Sequence, residues 1–142
     1  MLSEKAKNIV KATTPIIEEK GIEIAQRMYD ILFMQHPELK KLFANAPKTQ
    51  PAILAQAILA YCNNIDKLDV LTAAIEEITN KHVATQVKAE HYPLVGNAIL
   101  QAIQDVVGSA ATPEVLEGWA EAYQFLADVL IQIEAKKYAS LS

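Results

Sequence analysis

The sequence predicts an all-α protein, on three observations. Apolar residues recur at three- and four-residue spacing in segment after segment. Strict alternation over a strand's length is almost absent. The ends of the periodic segments coincide with capping residues, prolines and glycines. A first helix starts behind Ser3 and runs through Ile9, Val10, Ile16 and Ile17, with Pro15 expected to kink it or split it in two. A second follows Gly21, placing Ile22, Ala25, Tyr29, Leu32 and Phe33 on one face, and His36-Pro37 ends it because the residue before proline is pushed out of helical geometry.

A short segment "ELKKLF" leads into the polar stretch "ANAPKTQP", a loop bracketed by Pro47 and Pro51. Pro51 suits the first turn of a new helix, which carries Ile53, Leu54, Ala57, Ile58 and Tyr61 along one side. Another helix, roughly Leu68 to Val83, carries Leu71, Ile75, Ile78 and His82. A fifth begins near His91 and runs through Tyr92, Val95, Ile99 and Ile103 to a stop at Gly108. The last opens at Thr112-Pro113-Glu114, a cap followed by a first-turn proline and a carboxylate, and runs with Trp119, Tyr123, Leu126, Leu130 and Ile133 almost to the C-terminus.

At 142 residues the chain reads as one domain, 1–142, without repeats, low-complexity tracts or linkers. Hydrophobic residues make up 51% and charged residues 21%, the balance of a soluble globular protein. The net charge of −4 and the lack of a Lys/Arg cluster argue against a nucleic-acid partner, which needs cationic phosphate contacts. Cys62 is the single cysteine, so neither an internal disulfide nor a cysteine-rich zinc site can form. The opening residues lack a signal peptide's apolar core, and no run is long enough to span a bilayer, so no membrane insertion and a cytoplasmic location are expected.

Burying a polar group without a partner costs roughly 2–7 kcal/mol, so polar residues within apolar stripes need an explanation. His82 follows Leu71, Ile75 and Ile78 on one face. It reads either as a core histidine satisfied by a hydrogen bond or as a ligand. Glu134 follows Leu126, Ala127, Leu130 and Ile131, and reads either as a buried carboxylate or as one reaching water at the stripe's edge. Tyr92 shares a face with Val95, Ile99 and Ile103; Tyr29 lies with Ala25, Leu32 and Phe33; Gln50 lies with Ile53, Leu54 and Ala57. Together these groups carry more polarity than a passive core should, which suggests a cofactor pocket.

No histidine pair with a carboxylate marks a zinc helix, no G-x-S-x-G elbow or P-loop occurs, and the glycines at 21, 96, 108 and 118 form no phosphate cradle. A lone inward histidine fits a cofactor that brings its own equatorial ligands, and haem is such a cofactor.

These residues resemble the single-domain bacterial haemoglobins of the Vitreoscilla type, related to the globin module of flavohaemoglobins. The likeness rests on "MLSEKAKNIVKATTPIIEEKG", "LFMQHPELKKLF", "QPAILA", "KHVATQVKAEHYPLVG" and "WAEAYQFLADVLIQIEAKKY", in that order, and covers nearly the whole chain. It implies a globin fold, a helical three-over-three sandwich around a haem b pocket, with no reductase domain. His82 would be the proximal iron ligand, with Tyr92 and Glu134 hydrogen-bonded around it. Tyr29 and Gln50 match the family's distal polar residues, Leu54 lines the ligand site, Phe43 wedges against the porphyrin, and Lys81 reaches a haem propionate. His91 would mark a helix start and His36 a helix end. The loop "ANAPKTQP" is a few residues shorter than in the Vitreoscilla-type protein and bears on where Gln50 sits.

The resemblance further implies reversible binding of O2, with NO and CO as other gas ligands, at a pentacoordinate or weakly hexacoordinate iron. Conversion of nitric oxide to nitrate would then require a separate NAD(P)H-dependent reductase. The alternative is an O2 carrier, store or sensor without turnover. A monomer or a weak homodimer is equally compatible with the surface helices.

Overall fold

The computed structural model describes residues 2–141; Met1 and Ser142, which the expected 1–142 domain includes, lie outside the described residues. Five α-helices occur among the described residues, and no strand. They are α1 (Glu4–Gln35), α2 (Gln50–Asn63), α3 (Thr72–Ala84), α4 (Tyr92–Val107) and α5 (Pro113–Ser140), joined by short 3₁₀ turns. No described helix is long and apolar enough to cross a membrane.

The ends of these helices follow from local chemistry. The Ser3 hydroxyl accepts from the Ala6 amide at 3.1 Å, and Thr112 accepts from the Val115 amide at 3.2 Å, each satisfying a first-turn N–H that has no partner within its helix. His36 leaves helical geometry before Pro37, and a 3₁₀ helix (Pro37–Phe43) follows where "ELKKLF" was an unassigned segment. Gly108, at φ 69, closes α4.

Pro15 does not split the first helix, and the two helices expected on either side of Gly21 are one. Proline removes a single backbone donor, and the neighbouring threonines bond backward within the helix. Thr13 donates to the Ile9 carbonyl at 2.7 Å and Thr14 to the Val10 carbonyl at 2.8 Å. Packing adds to this, because the Trp119 indole N–H from α5 reaches the Thr13 oxygen at 2.9 Å. Gly21 lets α1 and α2 approach closely: a Cβ there would stand 3.3 Å from Ala55 Cβ on α2, a tight contact. Ile22, expected on the buried face, is 59% exposed because the buried arc of Gly21, Ile24, Ala25, Met28, Tyr29 and Leu32 turns past it.

Helix α1 packs against α2, α4 and α5, and α3 lies on α5. Val10, Ile24 and Leu32 have essentially no exposure, each burial contributing about 1.5–3 kcal/mol. The Tyr61 hydroxyl donates to the Ala122 carbonyl at 2.8 Å and ties α2 to α5.

The segment expected as one helix from Leu68 to Val83 is a 3₁₀ turn (Leu68–Leu71) followed by α3. On α3 the expected stripe of Leu71, Ile75, Ile78 and His82 is only half-buried, while Thr79 is fully buried. Thr79 satisfies its own hydroxyl on the Ile75 carbonyl at 2.8 Å. Helix α2 repeats the pattern: Ala55, Tyr61 and Cys62 are buried, whereas Leu54, Ala57 and Ile58 stay half-exposed and Ile53 is exposed. α2 and α3 make no extended contact with each other. Each therefore keeps an apolar stripe that its protein neighbours only partly cover.

Candidate cofactor site

Helices α3, α4 and α5 bring His82, Tyr92 and Glu134 together. Glu134 is 3% exposed, which settles its orientation: the carboxylate faces inward beside Ala127 and Leu130. His82 Nδ1 lies 2.8 Å from Glu134 Oε2 and 3.0 Å from the Tyr92 oxygen. The Tyr92 hydroxyl donates to the same carboxylate, 2.8 Å from each of its oxygens. An ionised carboxylate only accepts, so the neutral ring that suits this pairing carries its proton on Nδ1 and keeps the lone pair on Nε2. Burial, and then the carboxylate beside it, push the Tyr92 phenol well above its ordinary range, so it stays a donor.

Tyr92 is aimed by a contact that sequence reasoning missed. The Tyr123 hydroxyl donates to the Tyr92 backbone carbonyl at 2.7 Å, and Gly96, one turn along α4, makes room for the Tyr123 ring. A Cβ at Gly96 would stand 2.7 Å from Tyr123 Cε2.

A second polar pair lies between α1 and α2. The Gln50 side-chain amide donates to the Tyr29 oxygen at 3.1 Å, so the short loop before α2 leaves Gln50 within reach of Tyr29. Tyr29 is buried, and burial raises its phenol above the ordinary value while the Gln50 hydrogen bond opposes the rise. With its oxygen accepting from Gln50, the Tyr29 O–H remains free to donate elsewhere. Phe43 packs edge-on against Tyr29 at 5.3 Å and against Phe33 at 5.4 Å between ring centroids. Leu54 is half-buried in the same apolar cluster.

The remaining expected positions are simpler. Lys81 is exposed and pairs with Glu77 at 3.8 Å. His91 Nδ1 accepts from the Lys88 amide at 2.9 Å, capping the turn into α4, and His36 closes α1. Among the described residues no cluster of three or more His, Cys, Asp or Glu could hold a bare metal ion.

The sequence and fold are similar to known proteins along nearly their full length. The globin family model matches residues 26–130. A globin-like protein of Aquifex aeolicus is 48% identical over 139 residues, covering 98% of this chain and 99% of that protein. A flavohemoprotein of Bacillus cereus is 46% identical over 141 residues, covering 97% of this chain; the chain spans 35% of that protein's length. Among solved structures, an engineered carbene transferase, a candidate nitric oxide dioxygenase from Rhodothermus marinus, superposes with a TM-score of 0.96 at 40% identity and covers 99% of both chains. Helical order, an inward histidine held by a buried carboxylate, and relatives matched end to end agree: the chain belongs to the globin family.

Proposed function

We propose that this chain holds haem b through His82 and uses it to bind O2 and convert nitric oxide to nitrate, with electrons from a separate reductase. The observation that carries the reading is the His82 imidazole, whose Nδ1 is committed at 2.8 Å to the buried Glu134. That commitment leaves Nε2 as the ring nitrogen that would hold the haem iron. The rest of the surroundings fit the same group. The half-covered apolar stripes of α2 and α3 suit a broad, mostly apolar ring, and the lone histidine suits a metal that brings its other ligands with it. Phe43 and Leu54 would pack against that ring, and Lys81 would reach a propionate. The similarity to a flavohemoprotein and to a candidate nitric oxide dioxygenase supports this use of the site.

When bound, haem iron supplies reversible coordination of small gases such as O2, NO and CO, together with one-electron exchange. The protein supplies the rest. Glu134 and Tyr92 hold the Nδ1 proton in place, fixing the ring's orientation and raising the basicity of Nε2. Tyr29, kept protonated by burial, would donate to O2 held in the pocket, and Gln50 would orient that hydroxyl. Where the accepting oxygen carries partial negative charge, such a bond would contribute about 1.5–3 kcal/mol. One NO, one O2 and one electron give one nitrate, so every turnover needs an outside electron donor.

Substoichiometric protein, excess O2, NADH and a competent reductase fraction test the reading with an NO electrode. Sustained NO consumption that requires the reductase and is lost in His82→Ala is expected. A single stoichiometric burst, with the reductase active on a related globin, would replace turnover with O2 binding or sensing.

A further inference from the structure

The last turns of α5 contain contacts that the reading above does not use. Tyr138 stands four residues after Glu134, on the same face of the helix. Its hydroxyl donates to the Val87 carbonyl at 2.5 Å. The Val87 amide in turn donates to the His82 carbonyl at 2.8 Å. A chain of hydrogen bonds one residue long thus joins Tyr138 to the backbone of His82. Lys88 caps the arrangement, its ammonium 3.8 Å above the Tyr138 ring. Beside it, Lys137 reaches Glu76 Oε1 at 2.8 Å and Asn80 Oδ1 at 2.5 Å, both on α3.

The turn these residues touch closes α3 by its own backbone bonds. Gln86, at φ 68, is the left-handed residue of that helix ending, in which the Gln86 amide donates to the Val83 carbonyl at 3.1 Å and the Val87 amide to the His82 carbonyl, while the Tyr138 hydroxyl adds a bond from α5 to its outer carbonyl. Val87 also packs in the small apolar cluster of Tyr92, Ala127 and Leu130 that surrounds the Glu134 side chain's helix. α5 therefore meets the histidine helix and the turn after it at two heights, by Glu134 at the ring and, further along, by the Tyr138 hydroxyl on the Val87 carbonyl and the Lys137 ammonium on the Glu76 and Asn80 side chains.

We propose that Tyr138 and Lys137 are positioning residues for His82, with Tyr138 fixing the turn that follows it through the Val87 carbonyl and Lys137 fixing α3 through Glu76 and Asn80. The distance and angle at which the His82 ring meets Glu134 are then set by α5 as a unit. This rests on the reading of His82 as the haem ligand, and the test separates the two.

The full-length chain is prepared with uniform 15N labelling as wild type, Tyr138→Phe, Lys137→Met and Ser140→Ala. The last removes the Ser140 hydroxyl's bond to the Lys137 carbonyl at 2.7 Å and leaves the Tyr138 hydroxyl and the Lys137 ammonium on their partners. In the haem-free protein, Tyr138→Phe should speed exchange of the Val87 amide by roughly five-fold, the value of one lost hydrogen bond, and should shift the His82 Nδ1 resonance. Lys137→Met should shift the same resonance, and Ser140→Ala should move neither. In the haem-loaded ferrous protein, Tyr138→Phe should lower the iron–histidine stretching frequency. Wild-type His82 resonances in both variants would overturn the proposal, even with faster Val87 exchange, because Tyr138 would then only hold the loop. An iron–histidine band absent from the wild type would defeat the haem reading, and the haem-free His82 resonances would still decide the clamp.

Discussion

Tyr29 and Gln50 are hydrogen-bonded to each other, and in the proposed site Tyr29 would donate to the gas while Gln50 aims it. The Gln50 amide occupies the phenol oxygen, so the O–H is what Tyr29 can offer an incoming gas. Tyr29→Phe removes that donor while keeping the ring that packs on Phe33 and Phe43. The O2 dissociation rate of the haem-loaded protein should rise by roughly one to two powers of ten, at about 1.4 kcal/mol per decade. Stopped-flow displacement by CO measures it, and an unchanged rate would remove Tyr29 from this role. His82, Glu134 and Tyr29 were legible in the sequence because a polar residue inside an apolar stripe contradicts its neighbours. Thr79, Tyr123 and Tyr138 were not. Thr79 answers its own polarity on the Ile75 carbonyl, and the two tyrosines bond to backbone carbonyls, which every residue carries and no sequence pattern marks.

Among the elements, the sequence located the start of α2 and the boundaries of α4 and α5, where caps and prolines act locally, and misread continuity, which depends on distant packing. Pro15 and Gly21 read as breaks, yet the helix runs on because Trp119 and Ala55 fix what surrounds them. The stripes on α2 and α3 read as single apolar faces interrupted by polar groups, and protein covers them only in part. Their half-exposure is the sign that part of their cover is not protein. At Gly96 one helix closely constrains another, since the ring it faces is held by its hydroxyl on the Tyr92 carbonyl. Gly96→Val should lower the unfolding free energy by about 1–3 kcal/mol, as overpacking does, and should disturb Tyr92 as well. Urea denaturation gives the first. A variant as stable as the wild type would mean that Tyr123 yields freely.

Across the whole molecule, α1 is tied to its neighbours at widely separated points by exposed carboxylates. Asp66 is held below the usual range by Lys11, Asp105 by Gln101 and Arg27, and Glu121 by the Ser3 amide and hydroxyl. Folded values lie below unfolded ones, so the stability these groups add is present above the unfolded pKa and lost as pH falls through the folded one. Each such exposed contact is small and weakened by salt. The urea midpoint should therefore be level near neutrality and fall below about pH 4. In the triple variant Asp66→Asn, Asp105→Asn, Glu121→Gln the fall should be shallower, and an identical acid profile would show that other groups govern it.

The most direct test of the central claim, that His82 binds the iron with its Nδ1 proton held by Glu134, is resonance Raman spectroscopy of the haem-reconstituted ferrous protein. The wild type should show an iron–histidine stretching band that is absent from His82→Ala and shifted to lower frequency in Glu134→Ala, where the acceptor of the Nδ1 proton is gone. A band that persists in His82→Ala, or one that stays in place when Glu134 is removed, would contradict the assignment of the ligand or of its partner.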